Sequence, residues 1–223
     1  MKIKISLLFF SALLLFGISC NKKDDFNYPK DTVGSSKIVY FPLISTNGGK
    51  IMAVTQNGTF TDPGATATLN GATAQYTTDG TVDTGTPGIY TLTYTAKNAE
   101  GFSKTDWRMI AVVPTAAAND PVVAANDFSG VYLRGATGVT STWQKIANGV
   151  YQVENPGGSS GVGFYVVVTN YSGTNIDIPD QNAPDFGEVS STNAHYSVGP
   201  PATYSWIFNA GGYGSGVRSF VKQ

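Results

Sequence analysis

Apolar and polar positions alternate with period two along most of the chain. Over Ile89–Ala96, Tyr90, Leu92, Tyr94 and Ala96 share one face, with Ile89 and three threonines on the other. Over Asp106–Val113, Trp107, Met109, Ala111 and Val113 share a side, and over Tyr204–Phe208 the three aromatic residues face one way with Ser205 opposite. Period two is the signature of a pleated strand, on which successive side chains point to opposite faces. Two short apolar runs, Lys37–Leu43 and Lys50–Thr55, are divided by Asn47-Gly-Gly49. Asn57-Gly58, Asp62-Pro-Gly64, Asn70-Gly71, Asp79-Gly80 and Thr86-Pro-Gly88 then punctuate the chain. Gly and Asn supply positive φ and Pro presets the first turn position, so these are turn signals at the spacing of a small β-sandwich. Further strands are predicted near 130–134, 141–147, 150–154, 163–169, 174–178, 204–209 and 217–221, with Asn148-Gly149 as a hairpin turn. No window beyond the first twenty residues carries a helical stripe. The expectation is an all-β chain: a sandwich over 37–114, a linker over 115–125 rich in Ala, Pro, Asn and Asp, and a second antiparallel sandwich or barrel-like domain over 126–223.

The N-terminus follows a different rule. Met1-Lys-Ile-Lys4 is positive, Ile5–Ile18 is a nearly unbroken apolar run, and Phe16-Gly-Ile-Ser-Cys20 brings small residues up to a cysteine. The run has the length of a signal-peptide core and is shorter than the roughly 20 residues of a membrane span. The segment resembles a bacterial lipoprotein signal, which implies removal of residues 1–19, acylation of Cys20 and a flexible tether over 20–36. Asn21-Lys-Lys-Asp-Asp25 is similar to the export signal of Bacteroidetes surface lipoproteins, in which acidic residues closely follow the acylated cysteine. The implied location is the outer membrane, on its extracellular side.

Composition narrows the chemistry. The 223 residues carry a net charge of −1 and 13% charged residues, against roughly 25% in ordinary soluble domains. No Lys/Arg stripe exists to neutralise phosphates, so a nucleic-acid partner is not expected. One cysteine and one histidine leave no material for a disulfide or for a Cys- or His-built metal centre, and neither cofactor nor metal is expected.

The motifs then become specific. Gly58-Thr-Phe-Thr-Asp-Pro-Gly-Ala-Thr-Ala67, Gly85-Thr-Pro-Gly-Ile-Tyr-Thr-Leu-Thr-Tyr-Thr-Ala96 and Asn98-Ala-Glu-Gly-Phe-Ser103 are similar to bacterial Ig-like repeat domains. That resemblance implies a fold and says little of function, since such domains serve as spacers, stalks and binders alike. Asp127-Phe-Ser-Gly-Val-Tyr132, Gly149-Val-Tyr151, Ile178-Pro-Asp-Gln181, Gly212-Tyr-Gly214 and Arg218-Ser-Phe220 resemble the C-terminal domain of a Bacteroidetes lipoprotein family with an Ig-like domain first. Members of that family are found beside SusC/SusD-type outer-membrane importers, so the resemblance implies nutrient capture at the cell surface.

Three functional readings follow. In the first, the protein is a non-catalytic lipoprotein that binds an oligosaccharide, or an oligopeptide, as accessory to a SusC/SusD-type importer. Aromatic residues are the natural platform, because flat rings suit sugar faces. Trp143, surrounded by polar Thr140-Ser-Thr and Gln144-Lys145, and Tyr213, set among glycines, are the leading exposed candidates, followed by Tyr165 and Tyr171. In the second, the protein is a structural or docking subunit of the importer with no ligand of its own. Buried aromatics, or a flat apolar patch with a polar rim, would favour it. The third is a serine hydrolase. Gly157-Gly-Ser-Ser-Gly161 fits G-x-S-x-G, with Asp177, Asp180 and Asp185 downstream and His195 last. That motif needs a strand-to-helix elbow, whereas 162–168 reads as a strand, so no catalytic residue is assigned. Asp177, Asp180, Asp185 and Glu188 lie close in sequence without the spacing of a calcium loop, and the expectation for them is turn formation.

Overall fold

The computed structural model describes residues 30–33, 36–161 and 163–223. The signal segment and Cys20 lie outside the described residues. The chain divides into two units, 1–39 and 40–223. In the first, β1 (Thr32–Val33) and β2 (Ser36–Lys37) pair as a small antiparallel hairpin, with the Ile38 amide donating to the Asp31 carbonyl at 2.7 Å.

The second unit opens with seven strands: β3 (Leu43–Thr46), β4 (Ile51–Thr55), β5 (Ala65–Leu69), β6 (Ala72–Thr73), β7 (Tyr76–Asp79), β8 (Gly88–Lys97) and β9 (Ser103–Val113). They form a three-stranded sheet, β3-β5-β6, and a four-stranded sheet, β4-β9-β8-β7, in which β4 runs parallel to β9. Between the sheets lie Ala65, Leu92, Tyr94 and Ile110, flanked by Ile44, Val54 and Tyr76. The β5–β6 hairpin turns on Asn70 and Gly71, at φ +49° and +77°, the left-handed pair that a two-residue hairpin requires.

Two short helices follow, α1 (Thr115–Ala118) and α2 (Pro121–Ala125), on the segment expected to be a linker. Asp120 caps α2, its side chain accepting from the Val122 amide at 2.8 Å, and Pro121 occupies the first helical position. Ala117 and Val123 are buried, so the segment is docked. Helices of one turn are too short to show a period, which is why the sequence pattern gave no sign of them.

Nine strands complete the chain: β10 (Gly130–Arg134), β11 (Val139–Ala147), β12 (Val150–Glu154), β13 (Tyr165–Ser172), β14 (Asn175–Asp177), β15 (Gln181–Ala183), β16 (Gly187–Ser197), β17 (Thr203–Ala210) and β18 (Val217–Lys222). Their order in the sheet is β14-β13-β12-β11-β10-β18-β17-β16-β15, antiparallel throughout. The two ends of that order, β14 and β15, are separated by only three residues of chain, so the sheet must curl until its edges meet. Side chains close the seam. The Gln181 amide accepts from the Val167 N–H and donates to the Val167 carbonyl, both at 2.8 Å, completing by side chain the bridge that β13 and β15 do not make by backbone. Ser191 donates to Asp177 and accepts from the Ile178 amide, and its own amide donates to the Ile178 carbonyl. Of the two architectures expected for the second domain, the closed sheet makes it barrel-like.

The two modules share a core. Met109, Ala111 and Val113 of β9 and Ile51 of β4 meet Ala117 of α1, Val150 of β12 and Val167 of β13. Strand β9 is therefore buried on both faces: Trp107, Met109, Ala111 and Val113 turn to the barrel, Arg108 and Ile110 into the sandwich. Val166-Val-Val168 is likewise an unbroken apolar run because both its faces are covered.

Candidate functional site

The barrel interior is filled with rings. Tyr132, Trp143, Tyr151, Tyr196, Tyr204, Trp206, Phe208 and Phe220 all point inward and are buried. Trp143, the leading candidate for an exposed binding aromatic, is 2% exposed, and this expectation is corrected. It stacks on Trp206 at 5.7 Å between centroids and tilts against Tyr204 at 4.9 Å. Its polar neighbours misled: Thr140, Thr142 and Gln144 alternate with it and face outward, while Ser141 faces inward and satisfies itself on the Glu154 carbonyl at 2.9 Å. Polar flanks on a strand report the opposite face, not the environment of the residue between them.

The other aromatic candidates do not converge on a platform. Tyr165 and Tyr171 pack into the core shared by sandwich and barrel, where burial raises the Tyr171 hydroxyl to about 12. Tyr213 packs edge-on against Phe208 and Phe186, and its hydroxyl is buried without a hydrogen-bond partner. These rings are half-buried and lie in two separate clusters.

The start of the G-x-S-x-G segment packs against the barrel side chains, and its end is exposed. Asn155 to Gly158 are buried, and their carbonyls find partners inside the barrel. The Trp206 indole donates to Pro156 at 3.0 Å, Arg218 donates to Gly157 at 3.0 Å, and the Thr137 hydroxyl donates to Gly158 at 2.8 Å. Arg134 adds longer bonds to Gly157 and Gly158, and Arg218 also donates to the Tyr213 carbonyl. Burial, together with the nearby Arg134 charge, lowers the Arg218 pKa. A Cβ on Gly157 would come within 2.0 Å of the Tyr213 ring, so glycine is required by close approach. Strand β13, not a helix, follows the motif. Ser159 is held by the Asn155 side chain at 3.1 Å, while His195 is exposed on the outer face of β16.

The acidic candidates have separate structural duties. Asp177 serves the seam through Ser191, and Asp185 accepts from the Trp107 indole at 3.3 Å, joining barrel to sandwich. Asp180 and Glu188 border an open cleft of about 400 Å³ with Ser190 and Asn209. Among the described residues no three His, Cys, Asp or Glu side chains come together as a metal site.

One polar constellation was not foreseen. Arg108, fully buried inside the sandwich, donates to Asp62, to Tyr94 at 3.0 Å and to the Asn47 carbonyl, and Tyr94 donates to Asp62 at 2.7 Å. Burial and the bond to Asp62 push the Tyr94 hydroxyl far above its ordinary value. The Asp62-Pro-Gly64 turn signal was thus legible as a turn, while its carboxylate's work as counterion to a buried arginine was not.

The exposed surface carries a different signal. On the outer face of β10, β18 and β17, Leu133 is directly opposite Val221 and Ile207 opposite Val217, with the Ser205–Ser219 pair between these two apolar pairs and Val131 two residues before Leu133. Val131, Val217 and Val221 are exposed. The remaining outward positions here bear hydroxyls or an amide, among them Ser205, Ser219, Thr140, Thr142 and Asn209, and none of the outward positions on β10, β17 or β18 is charged. The face is uncharged, with an apolar pair on either side of the Ser205–Ser219 pair.

Comparison with known proteins agrees with the sandwich. Residues 44–112 match the bacterial surface protein Ig-like domain. A solved structure, the lipoprotein BT2262 from Bacteroides thetaiotaomicron, aligns at 22% identity over 82% of this chain and 100% of that chain, with a TM-score of 0.44. No curated protein matches. The chain carries an Ig-like domain of the kind found in bacterial surface proteins, packed onto an antiparallel β-barrel.

Proposed function

We propose that the protein is a non-catalytic surface lipoprotein, acylated at Cys20, whose folded part docks onto another protein of the outer membrane. The observation that carries the reading is the uncharged outer face of β10, β18 and β17, on which Val131, Val217 and Val221 stand exposed among small uncharged polar residues. Aromatic burial points the same way. A sugar platform needs accessible ring faces, and Trp143 and Trp206 spend theirs on each other. The family resemblance of the C-terminal domain supplies the kind of partner: a SusC/SusD-type importer, to which this chain would be a structural subunit.

The test is recovery of the native lipoprotein from outer membranes in mild detergent, with mass spectrometry of what copurifies. A SusC/SusD-type pair is expected with the natural chain and is expected to be lost with Val131→Glu/Val221→Lys. Recovery of the protein alone, or capture indifferent to that double substitution, refutes docking through this face. A retained oligosaccharide or oligopeptide would restore nutrient binding, with the Asp180–Glu188 cleft as the polar site to examine.

A further inference from the structure

A second exposed patch lies at the end of the sandwich where the chain enters it. Phe41, Leu43 and Phe102 are 61%, 68% and 47% exposed. Phe41 and Phe102 nevertheless touch, with centroids 5.0 Å apart. Two aromatic rings gathered in water and left uncovered are costly unless something apolar meets them. The patch is also held in place. Asn98, itself buried, accepts from the Phe102 amide and donates to the Tyr40 carbonyl, each at 2.8 Å, so one side chain fixes both the β8–β9 turn that presents Phe102 and the segment that presents Phe41. Exposed Lys97 and Lys104 flank the turn, which carries exposed Glu100 as its one acid: Lys97 pairs with Ser103 and Lys104 with Ala96.

We propose that this patch is a membrane-contact surface, with Phe41, Leu43 and Phe102 seated in the lipid interface and Lys97 and Lys104 beside the headgroups. Rings at the acyl boundary with cations around them are the composition of an interfacial anchor. Chain length argues for lipid as the occupant. Phe41 stands 21 residues after Cys20, and the hairpin closed by the Ile38–Asp31 hydrogen bond takes about seven of those residues out of the extended length. The covalent reach from an acylated Cys20 to Phe41 is then at most about 50 Å, at roughly 3.3–3.6 Å per extended residue. Of the two exposed apolar patches among the described residues, this one is nearer in sequence to Cys20. The inference rests on the reading that Cys20 is lipid-anchored.

Two measurements test it separately from that reading. The unacylated mature chain, residues 20–223 with Cys20→Ala, is mixed with phosphatidylethanolamine/phosphatidylglycerol vesicles and its partition is measured by flotation. Weak, measurable partition is expected, falling at least tenfold with Phe41→Ser/Phe102→Ser. Both changes are at exposed positions, and an unchanged melting temperature would show that the fold survives. In the acylated protein reconstituted in the same vesicles, a spin label at Ser103→Cys is expected to become more accessible to oxygen and less to aqueous nickel, while one at Ser219→Cys on the barrel stays in water. No partition of the unacylated chain, with a water-exposed label at 103 in acylated protein that floats with the vesicles, overturns the contact while leaving the anchor intact. A label at 103 that is buried only when outer-membrane proteins are present overturns it in favour of a protein partner.

Discussion

Replacing Trp143 by alanine separates a core pillar from a ligand platform. The indole is 2% exposed and lies within 4.9–6.4 Å of five other rings, those of Tyr132, Tyr151, Tyr196, Tyr204 and Trp206. Truncation in such a setting leaves a void of about 140 Å³ before relaxation, and at about 24 cal/mol per Å³ the void alone costs roughly 3 kcal/mol; substitutions of this class cost about 3–5 kcal/mol in all. For a folded unit of this size each kcal/mol moves the midpoint by about 2–4 °C, so a fall of about 6–20 °C is expected. Trp143→Phe refines the test. The indole N–H is buried without an acceptor, and an orphaned buried donor costs about 1–3 kcal/mol. Phenylalanine removes that donor and keeps most of the contact, so its expected cost is under about 1.5 kcal/mol. Thermal and urea unfolding, followed by near-ultraviolet circular dichroism, would read both variants. If Trp143→Ala shifts the midpoint by less than about 2 °C while abolishing retention of an oligosaccharide, the ring is on a surface and the argument from burial fails.

Three further outcomes follow from the polar constellations. Asp62→Ala leaves the fully buried Arg108 guanidinium without its counterion, and a loss of about 3–5 kcal/mol is expected in urea unfolding; a cost below about 1 kcal/mol would show that Arg108 finds water. Gln181→Ala removes three hydrogen bonds, two to Val167 and one to the Pro179 carbonyl. It is expected to cost about 1–3 kcal/mol and to speed amide exchange at Val167; unchanged exchange there would mean that the seam is closed by backbone alone. Asp106 gives a pH signature. Burial raises its pKa, but the Lys50 ammonium and the Thr46 and Trp107 amides more than offset this and hold the carboxyl below the ordinary range. Its folded value being depressed, its contribution is complete above the unfolded value of about 3.9 and is lost as pH falls through the folded one. The stability difference between the natural chain and Asp106→Asn should therefore be flat above about pH 5 and shrink below pH 4, and a difference that grows on acidification would reverse the sign assigned here.

How legible the fold was depended on what covered each strand. Strand β8 declared itself because Tyr90, Leu92, Tyr94 and Ala96 form one apolar face that alternates with threonines. Strand β16 did not, although at eleven residues it is among the longest. Its inward residues include only Val189 and Tyr196 as large apolar groups, and the register shifts between Thr192 and His195, where Asn193 adopts φ +52°. A bulge breaks the period on which recognition depends. Strand β15 is three residues long, two of them Gln181 and Asn182, and exists because the glutamine amide can imitate a peptide group. The candidate site was legible as residue types and not as placement. Trp143 lies between Thr142 and Gln144 and Trp206 between Ser205 and Ile207, yet the sheet turns both rings into the same interior.

The shared core decides where freedom of movement can lie. Strands β9 and β13 are covered on both faces, so separating sandwich from barrel would expose Met109, Ala111, Val113, Val150 and Val167 together. At about 25 cal/mol per Å² of apolar surface, opening five such side chains to water is too costly for a working hinge. The Lys50–Asp106 ion pair, the cation over the Trp107 ring and the Trp107–Asp185 bond fasten the same seam at its polar edge. Because the Ig-like module is fused to the barrel by a core, it acts as one end of a single packed unit and not as a jointed stalk. The patch at Phe41 and Phe102 and the uncharged barrel face therefore hold a fixed relation within residues 40–223. If lipid seats the first, the presentation of the second to a membrane partner is set by the fold of residues 40–223. The segment before Tyr40 joins that unit to Cys20. An inserted flexible spacer in that segment should leave docking intact if the patch orients the protein, and should weaken it if the lipid anchor alone does so.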